Sequence, residues 1–111
     1  MILYHNPRCT KSREALKLLE EREVDVEVIR YLDAPLDEAA LREVAGKLGM
    51  SPRDMMRVKE VTYKELSLKD ADDDALFTAM AENPVLMERP ILVNGDRAVI
   101  GRPPEQVLDI L

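Results

Sequence analysis

The order of the first segments leaves this chain few folds. Met1-Ile2-Leu3-Tyr4 is a short apolar run. A polar loop follows, and then Ala15, Leu16, Leu18 and Leu19 recur at helical spacing. The spacing predicts a helix that begins around Thr10–Ser12 and ends near Arg22 or Glu23. Val24, Val26 and Val28 then alternate with Asp25 and Glu27. That period of two predicts a strand with one face buried, continued more weakly from Ile29 to Leu32. Strand, helix, strand makes a βαβ unit, whose crossover sets the two strands parallel.

A helical middle is predicted next. Leu41, Val44, Ala45 and Leu48 share one face of a helix; Asp37 is its N-cap, Leu36 and Leu41 its hydrophobic staple, and Gly49 its stop. Ser51-Pro52-Arg53-Asp54 opens another helix, with Pro52 at its first position and Arg57 near its end. Thr62-Tyr63-Lys64-Glu65 has the pattern of a capping box. Asp72 to Ala81 reads as a further helix with Ala75, Leu76, Ala79 and Met80 inward, stopped before Asn83-Pro84. Met55, Met56, Met80 and Met87 are expected to fill gaps in a core.

Strand character returns at Ile91-Leu92-Val93. Asn94-Gly95 marks a tight turn, and Ala98-Val99-Ile100 pairs back as a hairpin. Gly101-Arg102-Pro103-Pro104 opens a last helix that buries Val107, Leu108 and Leu111. The expected class is α/β: a small mixed sheet flanked by helices in one domain over residues 1–111, with a helical insertion at about 36–83.

Composition narrows the function. The chain has 111 residues, 16 Lys and Arg against 22 Asp and Glu, and a net charge of −6. That balance argues against general nucleic-acid binding. The single cysteine excludes an internal disulfide, and there is no long apolar run, so a cytoplasmic protein without a membrane partner is expected.

The only cysteine and the only histidine lie in one loop, His5-Asn6-Pro7-Arg8-Cys9-Thr10-Lys11-Ser12-Arg13. Cys9 falls beside the predicted helix start, where unpaired N–H groups and the positive end of the helix dipole favour an anion. A lone cysteine is often a small buried hydrophobe. In a polar loop beside Arg8, Lys11 and Arg13, a thiolate nucleophile is the better expectation. His5 reads either as a solvated strand-end imidazole or as a partner of the thiol. Arg57, Arg89 and Arg102 stand at the ends of predicted elements, where loops converge. Guanidinium groups grip tetrahedral oxyanions through planar, paired hydrogen bonds.

Three segments together resemble the glutaredoxin-dependent arsenate reductases: Tyr4-His5-Asn6-Pro7-Arg8-Cys9, Asn83-Pro84 with Glu88-Arg89-Pro90-Ile91, and Gly101-Arg102-Pro103-Pro104 through Leu111. The resemblance spans nearly the whole chain, with the motifs in family order. It implies a thioredoxin-like fold with a helical insertion and a nucleophile at Cys9. It further implies oxyanion-binding arginines at Arg57, Arg89 and Arg102, a histidine at His5 that keeps the thiol ionised, and a cis-proline at Pro90. The implied reaction reduces arsenate to arsenite through a Cys9 thiol–arsenate adduct, with glutathione and then glutaredoxin as reductants and no bound cofactor. One Cys and one His make no ordinary zinc site. Two other readings remain open: a monothiol glutaredoxin-like thiol–disulfide oxidoreductase, which Cys9-x-x-Ser12 also fits, and an RNA polymerase-binding redox regulator, whose Cys-x-x-Cys switch Ser12 interrupts.

Overall fold

A computed structural model describes residues 1–111. The chain forms two compact units, one of Met1–Ala34 with Arg89–Leu111 and one of Pro35–Glu88.

The first unit holds a four-stranded sheet. Its strands are β1 (Ile2–His5), β2 (Glu27–Arg30), β3 (Ile91–Asn94) and β4 (Arg97–Ile100), in the order β2-β1-β3-β4. β1 and β2 are parallel, with Ile2 opposite Glu27 and His5 opposite Arg30. β1 and β3 are antiparallel, with Leu3 opposite Leu92, and β3 turns back on β4. Helix α1 (Thr10–Glu21) makes the parallel crossover. One core joins these elements: Leu3 and Leu92 from the sheet, Ala15 and Leu19 from α1, Val107 and Ile110 from the last helix. Because side chains alternate along a strand, His5 faces the same way as Leu3, toward α1. A parallel strand pair within a mixed sheet, a crossover helix and a C-terminal hairpin followed by a helix constitute a thioredoxin-like fold.

Three expectations for this unit change in detail. Val24 closes α1 instead of opening β2. Glu23 takes a left-handed conformation (φ 55°), its N–H donates to Glu20 O, and the Val24 N–H donates to Leu19 O at 3.1 Å. That is a Schellman stop, and it consumes the residues whose alternation read as a strand. Val24 and Val26 do pack on the core, but β2 starts only at Glu27 and leaves Val28 exposed. In the hairpin, Asn94 still pairs with Arg97, so the two loop residues are Gly95 and Asp96. Gly95 alone carries a positive φ, 61°, as the first position of a type II′ turn requires. The last helix, Pro104–Ile110, is 3₁₀. With three residues per turn, Pro104, Val107 and Ile110 align on the buried side. Leu108 is therefore only partly buried, and Leu111 is exposed.

The second unit contains α2 (Glu38–Leu48), α3 (Val61–Glu65) and α4 (Asp73–Glu82), with short 3₁₀ turns between them. Asp37 caps α2 by accepting from Ala40 N at 2.8 Å, and Gly49 ends it at φ 68°. Asp72 caps α4 in the same way through Ala75 N. All four expected methionines are buried. The helix expected from Ser51 shrinks to a 3₁₀ turn, Pro52–Met55. The chain is drawn instead into extended pairing: Met56 bridges Met87, Glu88 N donates to Met55 O and Arg57 N to Leu86 O. Thr62 lies inside α3, which starts after Glu60, so no capping box forms. On α4, Ala75 is exposed and Phe77 takes its expected place in the core, beneath the Arg42 guanidinium. No helix is long and apolar enough to cross a membrane.

Candidate active site

The site begins where β1 ends. The chain folds back through a tight turn in which Asn6 O accepts from Cys9 N at 3.0 Å and Asn6 Oδ1 accepts from Arg8 N at 3.0 Å. This places Cys9 at the N-cap of α1, with extended dihedrals of −94° and 124°. N-cap positions normally hold an oxygen-bearing side chain that accepts from the first turn of the helix. Here a sulfur occupies the position. The thiol makes no capping hydrogen bond of ordinary geometry, yet a charged sulfur is favoured. Partial burial pushes the Cys9 pKa up. The Ser12 N–H, the Arg89 charge, the Lys11 N–H and a hydrogen bond from Arg89 more than offset that, and the net shift is downward. Thiolate is the reactive form of a cysteine.

The β3–β4 register supplies the arginines. Ile91 pairs with Ile100, so Arg89 and Arg102 lie two residues beyond the same end of the hairpin. Gly101 N donates to Pro90 O at 2.8 Å and ties the two segments together. Arg102 Nη1 donates to Arg89 O at 3.3 Å and stands 4.0 Å from Cys9 Sγ, at the limit of a hydrogen bond to sulfur. The Arg89–Pro90 peptide is cis, as the resemblance implied; Arg102–Pro103 is cis as well, which no feature of the sequence announced. Two guanidinium groups and one sulfur therefore converge, an arrangement able to hold an oxyanion against a nucleophile.

The positive charge at the thiol comes from a different source than the loop sequence implied. Lys11 pairs with Glu14 at 3.8 Å. Arg13 donates to Pro7 O and Thr10 Oγ1. It is Arg89, distant in sequence, whose charge acts on Cys9.

His5 is buried, and its Nδ1 lies 2.6 Å from Ser12 Oγ. The same Oγ accepts from Asn6 N at 3.0 Å. Burial, then the charges of Arg30 and Arg13, hold the imidazole pKa below its ordinary value. His5 is thus a neutral ring at pH 7, and its observed partner is Ser12. Ser12 is fully buried. In the sequence Ser12 marks only a Cys-x-x-Ser pattern, which fits a monothiol oxidoreductase and interrupts a Cys-x-x-Cys pair. Its spacing from Cys9, the third residue into the helix, was the available signal that its N–H faces the cap. Arg57 belongs to the helical unit, where its guanidinium pairs with Glu60 at 3.3 Å, both side chains about one-quarter exposed. No group of three or more His, Cys, Asp or Glu side chains is arranged to hold a metal ion.

A model of the ArsC family matches residues 4–110. The chain belongs to the ArsC family. An arsenate reductase of Neisseria meningitidis serogroup A is 50% identical, with 98% of this chain and 96% of the relative covered. The Escherichia coli K12 protein YfgD, whose name carries no activity, is 56% identical over 98% of this chain and 94% of its own. Among solved structures, the arsenate reductase from Vibrio cholerae superposes with a TM-score of 0.97 at 52% identity, covering 99% of this chain and 96% of that one.

Proposed function

We propose that this ArsC-family protein reduces arsenate to arsenite in the cytoplasm, with glutathione and glutaredoxin as electron donors and no bound cofactor. The observation that carries the reading is the convergence of Arg89 and Arg102 on a cysteine biased toward thiolate. The names of the full-length relatives support arsenate as the oxyanion.

Arg89 and Arg102 hold the arsenate. The Cys9 thiolate attacks arsenic; an S–As bond forms, and one arsenate oxygen leaves as water after taking up protons. Glutathione thiolate then attacks the Cys9 sulfur. A Cys9–glutathione disulfide forms, the S–As electron pair stays on arsenic, and As(V) becomes As(III), which leaves as arsenite. Glutaredoxin takes the glutathione in a thiol exchange and returns Cys9 as thiolate. The two electrons come from two external thiols, because the chain has no second cysteine to supply one.

Arsenite release is the decisive assay, run with glutathione and glutaredoxin together and with each omitted. Without glutaredoxin, intact mass spectrometry should show one glutathione on Cys9. Arsenite formed at an undiminished rate with both thiol donors omitted would refute the scheme. Turnover of a small model disulfide without any arsenate turnover would favour a thiol–disulfide oxidoreductase instead.

A further inference from the structure

We infer that Ser12 is the positioning residue of the nucleophile, and that His5 acts on Cys9 only as a neutral hydrogen-bond partner of the Ser12 hydroxyl. The inference rests on Cys9 being a thiolate nucleophile and is independent of which oxyanion it attacks.

The geometry is a closed circuit around the loop. Ser12 Oγ receives the Asn6 N–H at 3.0 Å, and Asn6 O receives the Cys9 N–H at 3.0 Å. Arg13 N, the next amide in the helix, donates to Cys9 O at 3.0 Å. The hydroxyl of Ser12 therefore fixes one end of the turn that carries Cys9. Its own backbone N–H is the strongest single influence that favours the charged sulfur. One residue thus sets both the place of the thiolate and the amide beneath it.

A serine hydroxyl has one proton and two acceptor lone pairs. With one lone pair on Asn6 N–H, the 2.6 Å contact to His5 Nδ1 orients the hydroxyl whichever of the two carries the proton. A net charge on the ring is not needed for that task and is disfavoured by its setting. His5 is buried on the α1 side of β1, opposite Arg30 on β2 and near Arg13 on α1. The groups that bear on the sulfur itself are the Arg89 charge and Arg102 Nη1 at 4.0 Å, both from the open end of the hairpin. A cationic His5 would add a third positive group beside Arg30 and Arg13; a neutral one needs no counter-ion.

The test separates a neutral hydrogen-bonding role from a charged one. Cys9 alkylation by iodoacetamide is followed against pH in wild type, Ser12→Ala, His5→Ala and His5→Asn. Asparagine offers a polar atom near the position of Nδ1 but cannot become a cation. His5→Asn is expected to keep the wild-type inflection within a few tenths of a pH unit. His5→Ala and Ser12→Ala are each expected to raise it by about one pH unit, which is about tenfold less thiolate at pH values below both inflections. The double alanine variant should move it no further than the larger single change, because both act along one path. An inflection unchanged in Ser12→Ala would overturn the inference, as would His5→Asn shifted as far as His5→Ala. Should Ser12→Ala fail to fold, the two His5 variants decide the matter alone. A wild-type inflection at or above the ordinary thiol value would overturn the nucleophile reading itself, a result distinct from either of these.

Discussion

The same added methyl group is expected to act in opposite directions at Gly101 and Gly46. At Gly101 a Cβ would stand 2.8 Å from Pro90 Cγ and 3.0 Å from Val107 Cγ1. Comfortable carbon–carbon contact lies at about 3.5–4.0 Å, so both neighbours must give. Val107 is fully buried in the core with Leu3 and Leu92. The backbone of Gly101 is held to Pro90 by the 2.8 Å hydrogen bond between them. Neither side retreats freely, and overpacking of this kind costs about 1–3 kcal/mol. At this chain length each kcal/mol corresponds to roughly 4–6 °C, so Gly101→Ala is expected to lower Tm by about 4–18 °C. The same displacement separates Arg102 from Arg89 and from Cys9 Sγ, so the alkylation inflection should rise with it. Gly46 lies within α2 and a Cβ there meets nothing within 4 Å. Gly46→Ala should stabilise by about 0.5–1 kcal/mol, since only the entropy and propensity cost of a helical glycine is removed. Thermal unfolding of both variants with alkylation profiles is the assay. A Gly101→Ala Tm within about 1 °C of wild type would show that the Pro90–Gly101 approach is loose and that the hairpin ends do not constrain the arginines.

The remaining predictions concern the site and the caps. Arg89→Lys and Arg102→Lys keep the charge but lose the planar fork; a charge-assisted contact of about 1.5–3 kcal/mol then predicts roughly 10- to 150-fold lower kcat/KM for arsenate with the fold intact. Wild-type kinetics in both variants would make these arginines ordinary surface charges. The depressed pKa of His5 gives a sign for stability against pH: the contribution is full above about 6.5, where the unfolded ring is neutral, and is lost as pH falls through the lower folded value. Between pH 7.5 and 5.5 the wild-type Tm should therefore fall relative to that of His5→Asn; a constant difference would contradict the sign. Asp37→Ala and Asp72→Ala should each cost about 1 kcal/mol by denaturant unfolding, because each carboxylate satisfies a helix-start N–H.

Features set by local chemistry were legible in the sequence. Asp37 and Gly49 act at helix ends as their residue types predict, and the position of Cys9 at the start of α1 followed from periodicity alone. The departures arise where distant segments compete with local pattern. Ser51-Pro52 is a sound helix start, yet the residues after it pair with 86–88 and the helix stops after one turn. The valine alternation looked like a strand because a Schellman stop and a strand entry both place apolar residues at even spacing here. Val107 was correctly expected inward, but choosing Ile110 over Leu111 required knowing that the last helix has three residues per turn. In the site, Arg89 and Arg102 gain their meaning from the Ile91–Ile100 register, and the role of Ser12 from a side-chain circuit. Neither of those is a spacing that can be read along one chain.

The borders of the sheet carry a consequence of their own. β2 and β4 are the outer strands, each four residues long, and both bear charge: Glu27 and Arg30 close the two ends of β2, and Arg97 opens β4. An outer strand is a template on which a second chain can grow, and brevity with charge is how natural sheets refuse one. Val28 is the only strongly exposed apolar side chain on β2, and it sits between those charges. In a crowded solution, then, the β2 border offers a stray strand one greasy foothold and a charged group at either end of it.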